Sequence, residues 1–320
     1  IRLKSGSDNP FTKISSYDNI WIFESYSPDC FILVKKEDNY KIAGYSFNNT
    51  FLKNDEIPPP GLMCLEAIQS ISLTDLEESK RLKSFPESID PLLRTKWGPD
   101  CYFNHACPTD YRGKCDHVAA GCVPVAMGQI MRYYGRFNKF ILEEEFESDE
   151  YPNETVVLGN YNWDVMQDEP ICIDLEVSRF LYHLGVISKV RYSWENTSTS
   201  TYNAWVAFGK LSYLEPVRLT RSSTEQEVWV NTFYQNISEF MPIYVAGSGH
   251  AFVCDGYDEN GFFHFNLGWN GASNGYYPLI GTGSPFISEA LAELRPHSLV
   301  RPPVNLRIKE GEECDSLVWA

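Results

Sequence analysis

Residues 121–135 read GCVPVAMGQIMRYYG, and no other stretch constrains the chain as tightly. Apolar residues recur at Val123, Ala126, Met127, Ile130, Met131 and Tyr134, the stripe of a helix facing a core. Pro124 suits a first turn, where its missing N–H costs nothing, and Gly135 suits a helix end. Cys122 therefore stands at or just before the helix N-terminus. Unpaired N–H groups and the helix dipole at that end favour an anion, so a thiolate there is stabilised. The same N–H groups can receive a developing oxyanion. A free cysteine is more often a small buried hydrophobe. Packing residue, disulfide half and nucleophile all stay open for Cys122 until a base is found.

The 320 residues are globular in composition, 43% hydrophobic and 22% charged, enough for one large domain or two ordinary ones. A net charge of −16 argues against nucleic acid and anionic membrane surfaces as partners. No run approaches the roughly 20 apolar residues of a membrane span. The chain begins without methionine or signal peptide, so a processed or trimmed precursor is expected. Nine cysteines leave one thiol free unless a partner chain pairs with it. No cysteine–histidine spacing reads as a metal site. Cys107 and Cys115 bracket the polar loop PTDYRGK and are candidates for a disulfide outside a reducing cytosol.

Between Asn19 and Phe51 the segments IWIFESY, CFILVKK and YKIAGYSF read as an antiparallel meander with a turn at Ser27-Pro28-Asp29. PPPG at 58–61 breaks the chain, and a helix follows over LMCLEAIQSISL. The charged stretch TDLEESKRLKSFPES reads as a frayed helix running into a linker, which puts a domain boundary between Leu82 and Pro91. Beyond it, helices are expected over LEVSRFLYHLGVISKV (closed by Gly185), TYNAWVAFGKLSYLEP and EQEVWVNTFYQNISEF. IYVAGSGHAFVCDGYDENGFFHFNLGWNGASNGYYPL reads as sheet. Helices first and strands last make this an α+β domain.

Among six histidines, His250 has the most suggestive setting. It follows a glycine-flanked turn at the start of a strand, which can hold its ring still beside a cleft. An ordinary solvated loop histidine is the competing reading. His117, five residues before Cys122, is a rival base, whereas the other four show no comparable setting. His250 follows Cys122 by 128 residues, a separation compatible with a cysteine–histidine pair of papain-like enzymes. A simple hairpin centred on Glu259–Asn260 pairs Tyr257 with Phe262 and sets His250 opposite Trp269. Leu267 then shares the face of His250 and Asn266 takes the other, and a one-residue bulge reverses that. Asn266 is the candidate for orienting the imidazole. Trp269 either shields the pair from water or fills a core.

These residues carry a resemblance to a known family. GCVPVAMGQIM resembles the GCVATAMAQIM-type nucleophile motif of the streptopain-like cysteine peptidases. GHAFVCDGYDENGFFHFNLGWNG resembles their histidine motif, in which HAFVIDG leads to a HVNWGWGG-type segment. YNW at 161–163, the opening LLRTKWGPDCYFNHACP and the segment FILVKKEDNYKIAGYSFNNTF also fit, the last resembling the end of their propeptide. The resemblance implies a papain-like catalytic domain over 89–320, ending in a short tail, and an inhibitory propeptide over 1–88. It implies a zymogen secreted by bacteria, periplasmic or held at the cell surface, that cleaves proteins or peptides without metal or cofactor. Its own propeptide would act as an intramolecular inhibitor. Carried over by position, Cys122 is the nucleophile and His250 the base, while Asn266 and Trp269 match the family's asparagine and second tryptophan.

Several positions depart from the pattern. Leu267 replaces the first tryptophan, and Pro99 replaces a glutamine that is a plausible oxyanion donor. Pro124 and Gly128 replace alanines. The dyad is intact, so activity is expected, weakened by a lost donor worth about 10²–10³ in rate. Rival readings are a degenerate member serving as a protein-binding module, and another papain-fold chemistry such as amide transfer or cell-wall peptide processing.

Overall fold

The computed structural model describes residues 11–36, 40–70, 86–135, 141–148, 150–169, 171–211, 216–279 and 287–296. Most of the charged segment 74–88 and all of the tail 301–320 lie outside the described residues.

The N-terminal part is an antiparallel meander of β1 (Lys13–Tyr17), β2 (Ile20–Tyr26), β3 (Asp29–Lys36) and β4 (Tyr40–Ser46), followed by helix α1 (Pro59–Ser70). The sequence reading located the last three strands and missed β1, whose residues alternate between half-buried and exposed. Helix α1 begins inside PPPG because proline is tolerated in a first turn.

Next come α2 (Cys122–Tyr134), a hairpin of β5 (Ile141–Phe146) and β6 (Glu154–Gly159), α3 (Leu175–Ile187), α4 (Thr201–Lys210), β7 (Val217–Thr220) and α5 (Gln226–Ser238). The strands β8 (Ile243–Gly247), β9 (His250–Tyr257), β10 (Phe262–Asn266), β11 (Gly275–Pro278) and β12 (Glu289–Ala292) follow among the described residues. One ten-stranded sheet runs through both parts in the order β1-β2-β3-β4-β11-β10-β9-β8-β12-β7. Its two halves meet where Tyr45 of β4 pairs with Tyr276 of β11. Their rings stack at 5.0 Å and 15°, and the Tyr45 hydroxyl donates to Asp258 Oδ2 at 2.6 Å.

Both faces of the central strands are buried, in alternation. Ala251 and Val253 of β9 face a core shared with α2, α3 and α4. Phe252 and Cys254 face a second core that also holds Ile20, Ile22, Leu33, Met63 and Leu65 from the N-terminal part. The N-terminal strands therefore share a core as well as a sheet with β8, β9 and β10.

Three sequence expectations need correction. Gly185 does not close its helix. Helix α3 continues to Ile187, and a Cβ at position 185 would lie 2.0 Å from the Tyr192 hydroxyl, so this glycine makes room for a ring. The disulfide joins Cys101 to Cys115 with Cα atoms 5.7 Å apart. Cys107 is instead buried and free in the core, with Tyr192 as its neighbour. Finally, Tyr257 pairs with Phe263 instead of Phe262, and a bulge between His264 and Phe265 shifts the register by one. Asn266 then stands opposite Val253, the pairing that the simple hairpin gives at that end.

Gly185→Ala should lower stability by about 1–3 kcal/mol, the usual cost of overpacking. Urea denaturation measures this, and adding Tyr192→Phe should recover part of the loss.

Candidate active site

Cys122 is the first residue of α2. Gly121 before it has φ 94°, a conformation that glycine adopts without strain, and a Cβ there would press on Thr197 Cγ2 at 3.1 Å. Pro124 lies in the first turn, and residues 123–131 are all buried, so the helix is a core element on every side. Gly128 has a packing reason as well: a Cβ there would meet Leu181 Cδ2 at 2.6 Å.

His250 opens β9 directly after the two-residue turn Ser248-Gly249, whose φ angles are both positive, as a tight hairpin requires. Its ring stacks on Phe252 at 5.7 Å and 12°. Nε2 lies 2.8 Å from the Leu267 carbonyl oxygen. A carbonyl only accepts, so Nε2 carries the hydrogen and Nδ1 is left for the sulfur. Burial pushes the Cys122 thiol up, but the hydrogen bond with His250, the imidazolium charge, and the N–H groups of Ala251 and Cys122 outweigh it. The net pKa lies below the ordinary thiol value. Burial likewise lowers His250, and the bond to Cys122, its thiolate charge and the Leu267 carbonyl reverse the sign, so His250 is raised. Both shifts favour a thiolate–imidazolium pair between them.

The four sequence candidates thus separate. Cys122 and His250 lie close enough to shift each other, the thiol downward and the imidazole upward. Trp269 stands edge-on to His250 with ring centroids 6.5 Å apart. Asn266 does not reach the imidazole. It lies on the opposite face of β10, buried, and donates from Nδ2 to the Thr95 carbonyl at 2.6 Å. The orienting acceptor is the backbone of Leu267, a group that side-chain motifs do not encode. The Ala251 N–H beside the sulfur was missed for the same reason.

The rival base His117 points elsewhere, with Nδ1 at 2.7 Å from the Cys107 carbonyl and its ring 4.9 Å from that of His105. His183 and His264 are buried against Tyr161 and Asp255. Pro99 supplies no N–H, and its carbonyl accepts from Ala120 at 2.8 Å. Among the described residues, no group of three or more His, Cys, Asp or Glu is placed to hold a metal.

The N-terminal part reaches this site. Buried Glu24 accepts from the backbone N–H groups of Phe51 and Leu52 at 2.6 and 2.9 Å. That loop after β4 grips the loop after Trp269: Ser273 N donates to the Thr50 carbonyl at 2.8 Å, and Ser273 Oγ to the Phe51 carbonyl at 2.5 Å. Lys53 then lies over the Trp269 ring, Nζ 5.9 Å from its centroid.

Residues 97–277 match the Peptidase C10 family, and the chain belongs to that family. Over 302 residues it is 30% identical to the thiol protease/hemagglutinin PrtT of Porphyromonas gingivalis, covering 82% of this chain and 34% of that protein. Over 183 residues it is 27% identical to streptopain of Streptococcus pyogenes, covering 51% of this chain and 46% of that protein. The chain therefore spans less than half the length of these curated relatives.

Its fold is similar to a prointerpain A fragment of Prevotella intermedia, with TM-score 0.72 and 21% identity over 88% of this chain and 98% of that one. It is also similar to active interpain A, with TM-score 0.56 and 22% identity over 67% of this chain and 96% of that one. The streptopain-like resemblance is thereby borne out, and so is the mixed helix-and-sheet fold, with an N-terminal sheet part like that of prointerpain A.

Alkylation of Cys122 by a neutral reagent should show a reactive limb below the ordinary thiol range, read from the labelled Cys122 peptide over a pH series. His250→Ala removes the bond and the charge but leaves the burial. The limb should then move to higher pH, and the rate at pH 7 should fall about tenfold or more.

Proposed function

We propose that the chain is the zymogen of a cysteine endopeptidase that hydrolyses protein or peptide substrates through Cys122 and His250. The observation that carries this reading is the imidazole fixed in one tautomer by the Leu267 carbonyl, with Nδ1 left for Cys122 at the start of α2 and each group shifting the other toward its charged form. The Cys122 thiolate attacks the scissile carbonyl carbon to form a C–S bond. The oxyanion is received by N–H groups at the start of α2, the Cys122 N–H among them. His250 Nδ1–H protonates the leaving amine as the C–N bond breaks, which leaves a thioester. Neutral His250 then takes a proton from water as that water attacks the thioester. The acid product departs, and the thiolate–imidazolium pair is restored. Trp269 flanks the imidazole, where it limits access of water.

The segment over 1–88 is proposed as an intramolecular inhibitor, cut from the 89–320 domain near the boundary. Two observations support this. The loop after β4, in the N-terminal part, grips the loop that carries Trp269. The structural similarity extends from 67% to 88% of this chain when the compared protein keeps its pro-region.

Among the described residues, no helix is long and apolar enough to cross a membrane. A location outside the cytosol is proposed on the Cys101–Cys115 disulfide, which persists in oxidising compartments. The reading of a degenerate binding module loses one of its two supports. Leu267 serves through its carbonyl, which a change of side chain does not remove.

Casein digestion by the processed protein tests the proposal. Activity abolished by Cys122→Ala is expected, and no turnover by the unmutated protein under reducing conditions contradicts it. Pro99→Gln should restore a donor and raise kcat by about tenfold or more with little change in KM. Glu24→Ala should free the 51–53 segment and speed alkylation of Cys122 in the full chain.

A further inference from the structure

The peptide unit that holds His250 is itself held. Its carbonyl, from Leu267, accepts from His250 Nε2, and its N–H, from Gly268, donates to Asn266 Oδ1 at 3.2 Å. The preceding N–H, of Leu267, donates to Asn274 Oδ1 at 2.7 Å. Asn266 Nδ2 donates to the Thr95 carbonyl. The Thr95 hydroxyl donates to Gln129 Oε1 at 2.9 Å, and the same oxygen accepts the Trp97 N–H at 3.4 Å. Gln129 sits on α2, two turns beyond Cys122. Thr95, Gln129, Asn266 and Asn274 are all buried.

The amide orientations follow from the chemistry. Backbone N–H groups only donate and backbone carbonyls only accept, so each side-chain oxygen and nitrogen has one possible place. Gly268 has φ 66°, and a Cβ there would lie 3.0 Å from Val125 Cγ1, so the clamped peptide lies close against α2.

We propose that Asn266 is a positioning residue that acts on His250 through the Leu267–Gly268 peptide, and that Thr95 and Gln129 tie this peptide to the helix carrying Cys122. This rests on the Cys122/His250 reading above. An acceptor on the N–H of a peptide polarises it and strengthens its carbonyl as an acceptor. Asn266 therefore favours the imidazolium from one peptide away. The clamp also fixes the nucleophile's helix and the base's acceptor in one frame, so the sulfur and Nδ1 keep their separation. The titratable groups around it are Cys122 on α2, buried Tyr244 on β8, Lys53 over Trp269, and the buried His264–Asp255 pair on β10 and β9. Arg132 and Lys96 lie on the helix side, in ion pairs with Asp168 and Glu169. None of these is altered by the test.

The experiment follows iodoacetamide labelling of the Cys122 peptide in the full chain across pH, alongside the thermal midpoint. Asn266→Ala should move the low-pH limb upward and slow labelling at neutral pH by about tenfold, the loss expected for one hydrogen bond. Thr95→Val, which keeps shape and carbonyl, should move the limb in the same direction by less, and Thr95→Ser should restore it. If Asn266→Ala does not fold, the Thr95 pair decides alone. Variants that change the thermal midpoint but leave the wild-type pH profile overturn the proposal. A wild-type profile with only an ordinary thiol limb overturns the Cys122/His250 reading, and this inference with it.

Discussion

The interaction between Cys122 and His250 opposes the burial of both groups, and the surrounding backbone makes it win. Burial alone favours a neutral thiol and a neutral imidazole. Three features reverse that outcome. The start of α2 puts the Cys122 N–H beside the sulfur, and the start of β9 adds the Ala251 N–H. The Leu267 carbonyl holds the imidazole from its far side. Each is a backbone group, so the site depends on where the main chain runs more than on the side chains around it. That is why helix, strand and loop must be pinned to one another by buried Gln129, Thr95 and Asn266.

The same dependence gives the N-terminal part its leverage. It continues the central sheet at Tyr45–Tyr276 and contributes to the core under β9. It does not need to fill the site to affect it. By gripping Ser273 it holds the loop that presents Trp269, and Lys53 covers that ring. Buried Glu24 secures the gripping segment through two backbone N–H groups, a role in which charge-assisted hydrogen bonds are strong.

Much of this was legible in the sequence where the signal is local. The apolar stripe of 123–134 announced α2, the apolar runs separated by turns after Pro242 announced β8 to β10, and the Ser248-Gly249 turn gave His250 its place. What was not legible is set by contacts across the chain. Cys107 and Cys101 are equally plausible disulfide partners by spacing, and only the burial of Cys107 near Tyr192 decides between them. Gly185 reads as a helix end until the Tyr192 ring is seen against it. Asn266 matched a side-chain motif, whereas the orienting group is the next residue's carbonyl, which every residue type carries equally. The strands β1, β5, β6, β7 and β12 are short or half-exposed and left no strong alternation.

The central claim, a thiolate–imidazolium pair held from both sides, is tested most directly by nitrogen NMR of the His250 ring in the full chain across pH. The account predicts that imidazolium persists above the ordinary histidine pKa of 6.5, and that the neutral form keeps its hydrogen on Nε2. It predicts that Cys122→Ala lowers that titration. A ring that titrates at the ordinary value in both proteins, or a neutral form protonated on Nδ1, contradicts it.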